Sequence, residues 1–294
     1  MPYLFSVQEK KRIRVIVDTD AACEADDQFA IVHALLTPRF IVKGIIAEQF
    51  SGRNDDNSVD RSYNEIQKLL KLMNIDGITV AKGCRKSLES ELDAPDSEGV
   101  QLIIEEALRD DDKPLFVLCQ GAITNVAAAV NRCPEIAYRM TVIWIGGGFY
   151  PDGGWEFNLL NDYHAANVVF KSAVTLWQVP MDCYTTMRVG YAELQHKVMP
   201  CGEIGKYLFR QMVELGLQMD WVAGEGWSLG DSPAVGIALY HDCGRYEMRP
   251  APIVNEKGNY IGAVDRHIIR VYHEIDSRYI LEDLFAKLAL NYGK

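Results

Sequence analysis

The stretch from Val15 to Asp27 limits most tightly what this chain can fold into. Val15, Ile16 and Val17 are β-branched and apolar, and they run straight into Asp18, Asp20, Glu24, Asp26 and Asp27. Residues 28–36 follow with apolar side chains at helical spacing, closed by Pro38. The order is strand, acidic loop, helix. In an open α/β sheet, loops at the carboxyl ends of the strands gather the ligands. Five carboxylates in one loop repel one another, so something positive is expected among them, and oxygen ligands favour a hard cation. Asp26 and Asp27 could instead serve the positive end of the following helix. That alternative leaves Asp18 and Asp20, at the end of an apolar strand, without a reason.

The same alternation runs through most of the chain. Residues 41–47, 78–81, 115–119, 141–145 and 174–179 read as strands, with 253–254 and 267–272 as late ones. Apolar residues at helical spacing mark helices over 66–73, 100–108, 162–170, 204–217 and 278–290, with two more ending near Val130 and Tyr240. Residues 51–60 and 89–98 read as polar loops. Repeated βα units predict an α/β fold: an open, mainly parallel, Rossmann-like sheet with helices on both faces. No repeat or Pro/Gly/Ser linker divides residues 1–294, so one domain is expected.

The formal net charge of −11 argues against nucleic acid or an anionic membrane surface as partner. A small neutral or cationic ligand, or a metal, fits better. Seven cysteines with no C-x-x-C pair point to reduced thiols and a cytoplasmic protein. The basic cluster Lys10-Lys11-Arg12 follows the short apolar patch at the N-terminus, the wrong order for a signal peptide.

Three later junctions carry candidate residues. In Gln120-Gly121-Ala122-Ile123-Thr124-Asn125, the glycine predicts close backbone approach and a carbonyl or amide open to a ligand. The segment 146–158 begins with three glycines and ends in Glu156-Phe157-Asn158; an extended backbone would place Glu156 and Asn158 on one face, suited to hydroxyl-rich ligands. Asp231, before Ser232-Pro233, taken alone reads better as a plain helix N-cap than as a site residue. Trp155, Trp221 and Trp227 could stack on an aromatic ligand or belong to the core.

Together these stretches resemble the calcium-dependent nucleoside hydrolases of the inosine-uridine-preferring type. Asp18-Thr19-Asp20 and Asp26-Asp27 match the two ends of that family's Asp-Thr-Asp-Pro-Gly-x-Asp-Asp signature, with a middle two residues longer. Gly121–Asn125 is similar to its Gly-Pro-Leu-Thr-Asn turn, Gly146-Gly147 with Glu156-Phe157-Asn158 to its Gly-Gly and Glu-Phe-Asn segment, and Asp231-Ser232-Pro233-Ala234 to the end of its His-Asp-Pro-x-Ala stretch. The resemblance implies cleavage of the N-glycosidic bond of a small-molecule nucleoside or related riboside. It implies that Asp20, Asp27 and Asp231 ligate Ca2+ with the Gln120 carbonyl, that Asp26, Glu156 and Asn158 bind ribose hydroxyls, and that Asp18 supports them from behind. Asp20 would also take the proton of the attacking water. A homodimer or homotetramer is implied as well.

One position departs from the pattern. The family's histidine before the last aspartate, assigned to protonating the leaving base, is Gly230 here. His241, Glu225 and Glu24 are the substitutes to weigh. Two other readings stand beside the first: a phosphohydrolase of the haloacid dehalogenase type, with Asp18 as nucleophile and Asp20 as acid, and a member that binds a ribosyl ligand or metal without turnover.

Overall fold

The computed structural model describes residues 2–50, 57–222, 224–262 and 266–293. Its main sheet is built from β1 (Ile13–Thr19), β2 (Phe40–Ala47), β3 (Val80–Lys82), β4 (Leu115–Cys119), β5 (Met140–Ile145), β6 (Thr175–Val179), β9 (Gly244–Pro250) and β12 (Ile268–Ile275). The strand order is β3-β2-β1-β4-β5-β6-β12-β9. Every pairing is parallel except β12 with β9, which is antiparallel and closes one edge. The expected open, mainly parallel sheet is therefore the one observed.

Both faces of the sheet are covered, which is why its central strands are apolar throughout. On β1, Ile13, Val15 and Val17 join one core and Ile16 the other, as the two-residue period of a strand requires. The first core is shared with α1 (Asp27–Leu35), α2 (Ser58–Met73), α9 (Gly202–Gly216), α10 (Ser232–Leu239) and α11 (Ser277–Tyr292). The second is shared with α3 (Glu98–Leu108), α4 (Thr124–Arg132) and α6 (Tyr163–Lys171).

The chain builds outward from β1 through β2 to β3, then returns to β4 on the other side of β1 and continues to β5 and β6. The direction of winding thus reverses between β1 and β4, and at such a switch point the loops part and leave a crevice. Asp18 pairs with Cys119 in register, and the Gln120 amide donates to the Asp18 carbonyl at 2.8 Å. The acidic loop and the Gln120 turn are neighbours for this reason.

Several local features differ from the sequence reading. The helix expected over 162–170 is α6, and an unforeseen short helix, α5 (Phe157–Asn161), precedes it; the two are parted at Asp162, whose carboxylate caps α6 through the Ala165 amide at 2.8 Å. Ser58 to Asp60, read as loop, open α2, while 51–56 lie outside the described residues. Residues 181–201 form α7 (Met181–Tyr184), β7 (Arg188–Gly190) and α8 (Tyr191–Lys197). Two small ribbons stand apart from the main sheet: β7 with β8 (Gly226–Ser228), and β10 (Ile253–Val254) with β11 (Tyr260–Gly262).

Candidate active site

Asp20, Asp26, Asp27, Gln120, Glu156, Asn158 and Asp231 all line one cavity of about 70 Å³ at the switch point. Sequence reasoning had drawn these seven from four separate stretches. The closest carboxylate group is Asp26, Asp27 and Asp231, whose ligand oxygens lie within 4.8 Å of one another. Asp26 thus stands beside the expected metal set as well as in the expected sugar set.

Neither helix start accounts for these acids. Asp231 precedes α10 and Asp26 precedes α1, yet neither side chain makes a capping hydrogen bond. The plain N-cap reading of Asp231 is therefore overturned: its carboxyl group makes no cap and instead gathers with those of Asp26 and Asp27. Asp27 also accepts from the Thr19 hydroxyl.

No lysine, arginine or histidine lines this cavity among the described residues. Burial, then the neighbouring carboxylates, push the Asp20 carboxyl up to about 8. The same causes hold Asp26, Asp27 and Asp231 well above the usual carboxylate range. Asp20 Oδ2 is buried without a hydrogen-bond partner among the described residues. An all-oxygen donor set, crowded, buried and short of positive charge, is the chemistry of a hard divalent cation site.

Asp18 lies beneath the floor, wholly buried, where Asn125 Nδ2 donates to it at 2.9 Å. A nucleophile must reach the substrate, so this placement opposes the phosphohydrolase reading. Gly121 shows the close approach its sequence predicts: a Cβ there would stand 2.9 Å from both Asp20 Cγ and Glu48 Oε2.

Glu156 and Asn158 do not share an extended stretch. Glu156 is the extended N-cap of α5 and Asn158 lies in the first turn of that helix, with Asn158 Nδ2 donating to the Ile145 carbonyl at 2.9 Å. Helix geometry, not strand alternation, brings both to the cavity. The Glu156 carboxylate accepts the Gly147 amide at 2.8 Å, which ties α5 to the end of β5.

Above the floor opens a second chamber of about 640 Å³, walled by Trp155, Phe157, Tyr184, Trp221 and Trp227, with Glu24 and Asp26 at its base. Trp227 and Trp221 meet edge to face, their ring centroids 5.1 Å apart. Gly230 borders both chambers, and a Cβ there would lie 3.0 Å from Tyr184 Cδ2. His241 is exposed, 3.6 Å from Asp242, and like Glu225 it lines neither chamber.

Sequence reasoning missed Tyr184 and Glu48. Glu48, wholly buried behind Asp20, has both oxygens without a partner among the described residues. It follows the apolar strand Ile45-Ile46-Ala47, the same signal that singled out Asp18 and Asp20. Tyr184 carries no comparable signal, since α7 is only four residues long.

The fold and site together are those of a doubly wound α/β protein with an oxygen-lined acidic floor and aromatic walls above it at the switch point, the place where such proteins bind small molecules. Residues 15–280 match the family model of the inosine-uridine preferring nucleoside hydrolases, and the chain belongs to that family of N-ribohydrolases. It is 26% identical over 246 residues to the pyrimidine-specific ribonucleoside hydrolase RihA of Enterobacter sp. (strain 638), covering 74% of this chain and 75% of the relative. Among solved structures, it resembles the purine-preferring ribonucleoside hydrolase from Gardnerella vaginalis with a TM-score of 0.78 at 19% identity, over 95% of this chain and 99% of the other. A plant nucleoside hydrolase, the PpNRh1 enzyme, gives 0.76 at 18% identity, over 94% and 98%.

Proposed function

We propose that the chain cleaves the N-glycosidic bond of a riboside with a calcium ion held by Asp20, Asp27, Asp231 and the Gln120 carbonyl. The observation that carries this reading is the convergence of seven expected residues on one cavity at the switch point. Such an ion would supply an oriented, acidified water, and Asp20, whose Oδ2 has no hydrogen-bond partner among the described residues, would accept its proton. Asp26, Asn158 and the Glu156 corner hold the ribose hydroxyls, and the surrounding carboxylates favour the positive charge that grows on the sugar as the bond to the base breaks. The aromatic chamber receives the leaving group, by stacking. Seven cysteines without a disulfide among the described residues support a cytoplasmic enzyme, and we assign it a homodimeric or homotetrameric state.

Position 230 offers no acid, so the preferred leaving group is one that departs without protonation. Ribose release is to be measured from inosine, uridine and a nitrophenyl riboside, with calcium and with chelator. The activated riboside should exceed inosine in kcat/KM by roughly 10²–10⁴-fold, the usual contribution of a general acid. Chelator should stop all turnover and calcium restore it. Equal rates on inosine and the activated riboside would show that another residue donates the proton, with Glu24 first to replace. No ribose from any substrate would leave a ribosyl-binding protein.

A further inference from the structure

All four acceptor positions of Glu156 are occupied. Its Oε2 accepts from the Gly147 and Leu159 amides, each at 2.8 Å. Its Oε1 accepts from the Asn158 amide at 3.1 Å and from the Tyr184 hydroxyl at 2.9 Å. An ionised carboxylate offers about four lone-pair sites. Three of these donors are backbone amides, fixed by the glycine turn after β5 and by the first turn of α5. Only the Tyr184 hydroxyl is free to swing aside.

Two further observations place this tyrosine in the substrate's path. Tyr184 borders both the acidic floor and the aromatic chamber. Its ring also stands 3.0 Å from where a Cβ at position 230 would be, so a bare glycine at 230 is what admits it. Burial and the adjacent Glu156 carboxylate push the phenol up, so it keeps its proton and remains a donor.

We infer that Tyr184 caps Glu156 against the sugar, so that the enzyme takes deoxyribosides lacking the hydroxyl facing Glu156 as readily as complete ribosides. The inference rests on the riboside hydrolase reading above. A sugar hydroxyl that donates to Glu156 must first displace the Tyr184 hydroxyl, exchanging one charge-assisted hydrogen bond for another. A sugar without that hydroxyl leaves the Tyr184–Glu156 bond in place, and no buried acceptor is stranded. An uncapped Glu156 would reject the same deoxy sugar, because its carboxylate would be left one partner short.

The test compares wild type with Tyr184→Phe on the nitrophenyl riboside and its 2-, 3- and 5-deoxy counterparts. At one of the three positions, wild type should lose less than about 3-fold in kcat/KM and Tyr184→Phe roughly 10- to 100-fold, the range of a hydrogen bond to a charged acceptor. The other two positions should respond alike in both proteins. Identical deoxy profiles at all three positions would overturn the inference. So would a Tyr184→Phe protein that melts like wild type but is equally impaired on all four substrates. Should Tyr184→Phe melt early, Tyr184→Met removes the same hydroxyl and is read by the same criteria. If wild type cleaves no riboside, the hydrolase reading fails, and calorimetric binding of ribose and its three deoxy analogues decides in its place. The same contrast between the two proteins in affinity supports the cap, whereas equal profiles or no sugar binding rule it out.

Discussion

Asp27 and Asp231 sit 2% and 4% exposed with carboxylate oxygens within 4.8 Å of each other, an arrangement that opposes folding unless a cation or a shared proton offsets it. That duality separates two kinds of damage. Asp27→Asn or Asp231→Asn should lower kcat by more than roughly 10²-fold, since removing even an outer partner of a metal ligand costs 10–100-fold. The same variants should melt, with chelator present, at or above wild type, because a like charge has been removed. A drop in both quantities would mean that these acids are structural. Asn158→Ala should chiefly raise KM, by a neutral hydrogen bond worth about 0.5–1.5 kcal/mol. Gly230 tests the tyrosine wall from the other side. Gly230→His forces a Cβ to 3.0 Å from Tyr184 Cδ2 and 3.2 Å from Asp26 Oδ2. Overpacking of this kind costs about 1–3 kcal/mol. Combining it with Tyr184→Ala should recover part of that loss, and additive changes in a double-mutant cycle would show that the two positions do not compete for space.

At the scale of elements, the site is made by three strand ends, β1, β4 and β5, together with the starts of α1, α5 and α10. The first two strand ends were legible because apolar runs break abruptly into Asp18-Thr19-Asp20 and Gln120-Gly121, and parallel strands buried on both faces permit no gradual transition. The start of α5 was not legible. Glutamate is outside the usual N-cap set, so Glu156 gave no helix signal, and the pair Glu156 and Asn158 was read as strand-like. β9 was missed because Arg245, Tyr246, Glu247 and Met248 are all exposed on an edge strand, where no apolar alternation is required. The Gln120 turn offers its own test. Gly121→Ala would press a methyl group to 2.9 Å from Asp20 Cγ and Glu48 Oε2, both wholly or nearly wholly buried. The expected outcome is destabilisation of about 1–3 kcal/mol together with a fall in kcat, read by denaturant unfolding and ribose release. Unchanged stability and kcat would show that the turn tolerates a side chain and that Asp20 is held elsewhere.

For the whole molecule, a net charge of −11 and a buried acidic floor make the metal-free fold sensitive to pH in a defined direction. The folded-state values of Asp18 and Asp20 are raised from 3.8 to about 7 and about 8, chiefly by burial. A raised carboxyl binds its proton more tightly in the folded chain than in the unfolded one. The stability it contributes is full below about pH 4 and is lost as pH rises through 7 and 8. His33 has the opposite sign. Burial between α1 and α11 lowers it from 6.5 to about 4, so its contribution is present above pH 6.5 and lost as pH falls towards 4. A melting curve of the metal-free protein mixes the two. The difference between calcium-loaded and chelated protein does not, because His33 is the same in both and only the floor carboxylates meet the ion. Protons compete with the cation for the same oxygens, so calcium binding should tighten as pH rises. At a calcium concentration 100 times Kd the ion adds about 2.7 kcal/mol, roughly 4 °C in Tm for a chain of this size. That difference in Tm should be small at pH 5 and grow steadily to pH 8. A difference that is constant across this range would place the ion away from Asp20, and no difference at all would mean that the floor holds no calcium.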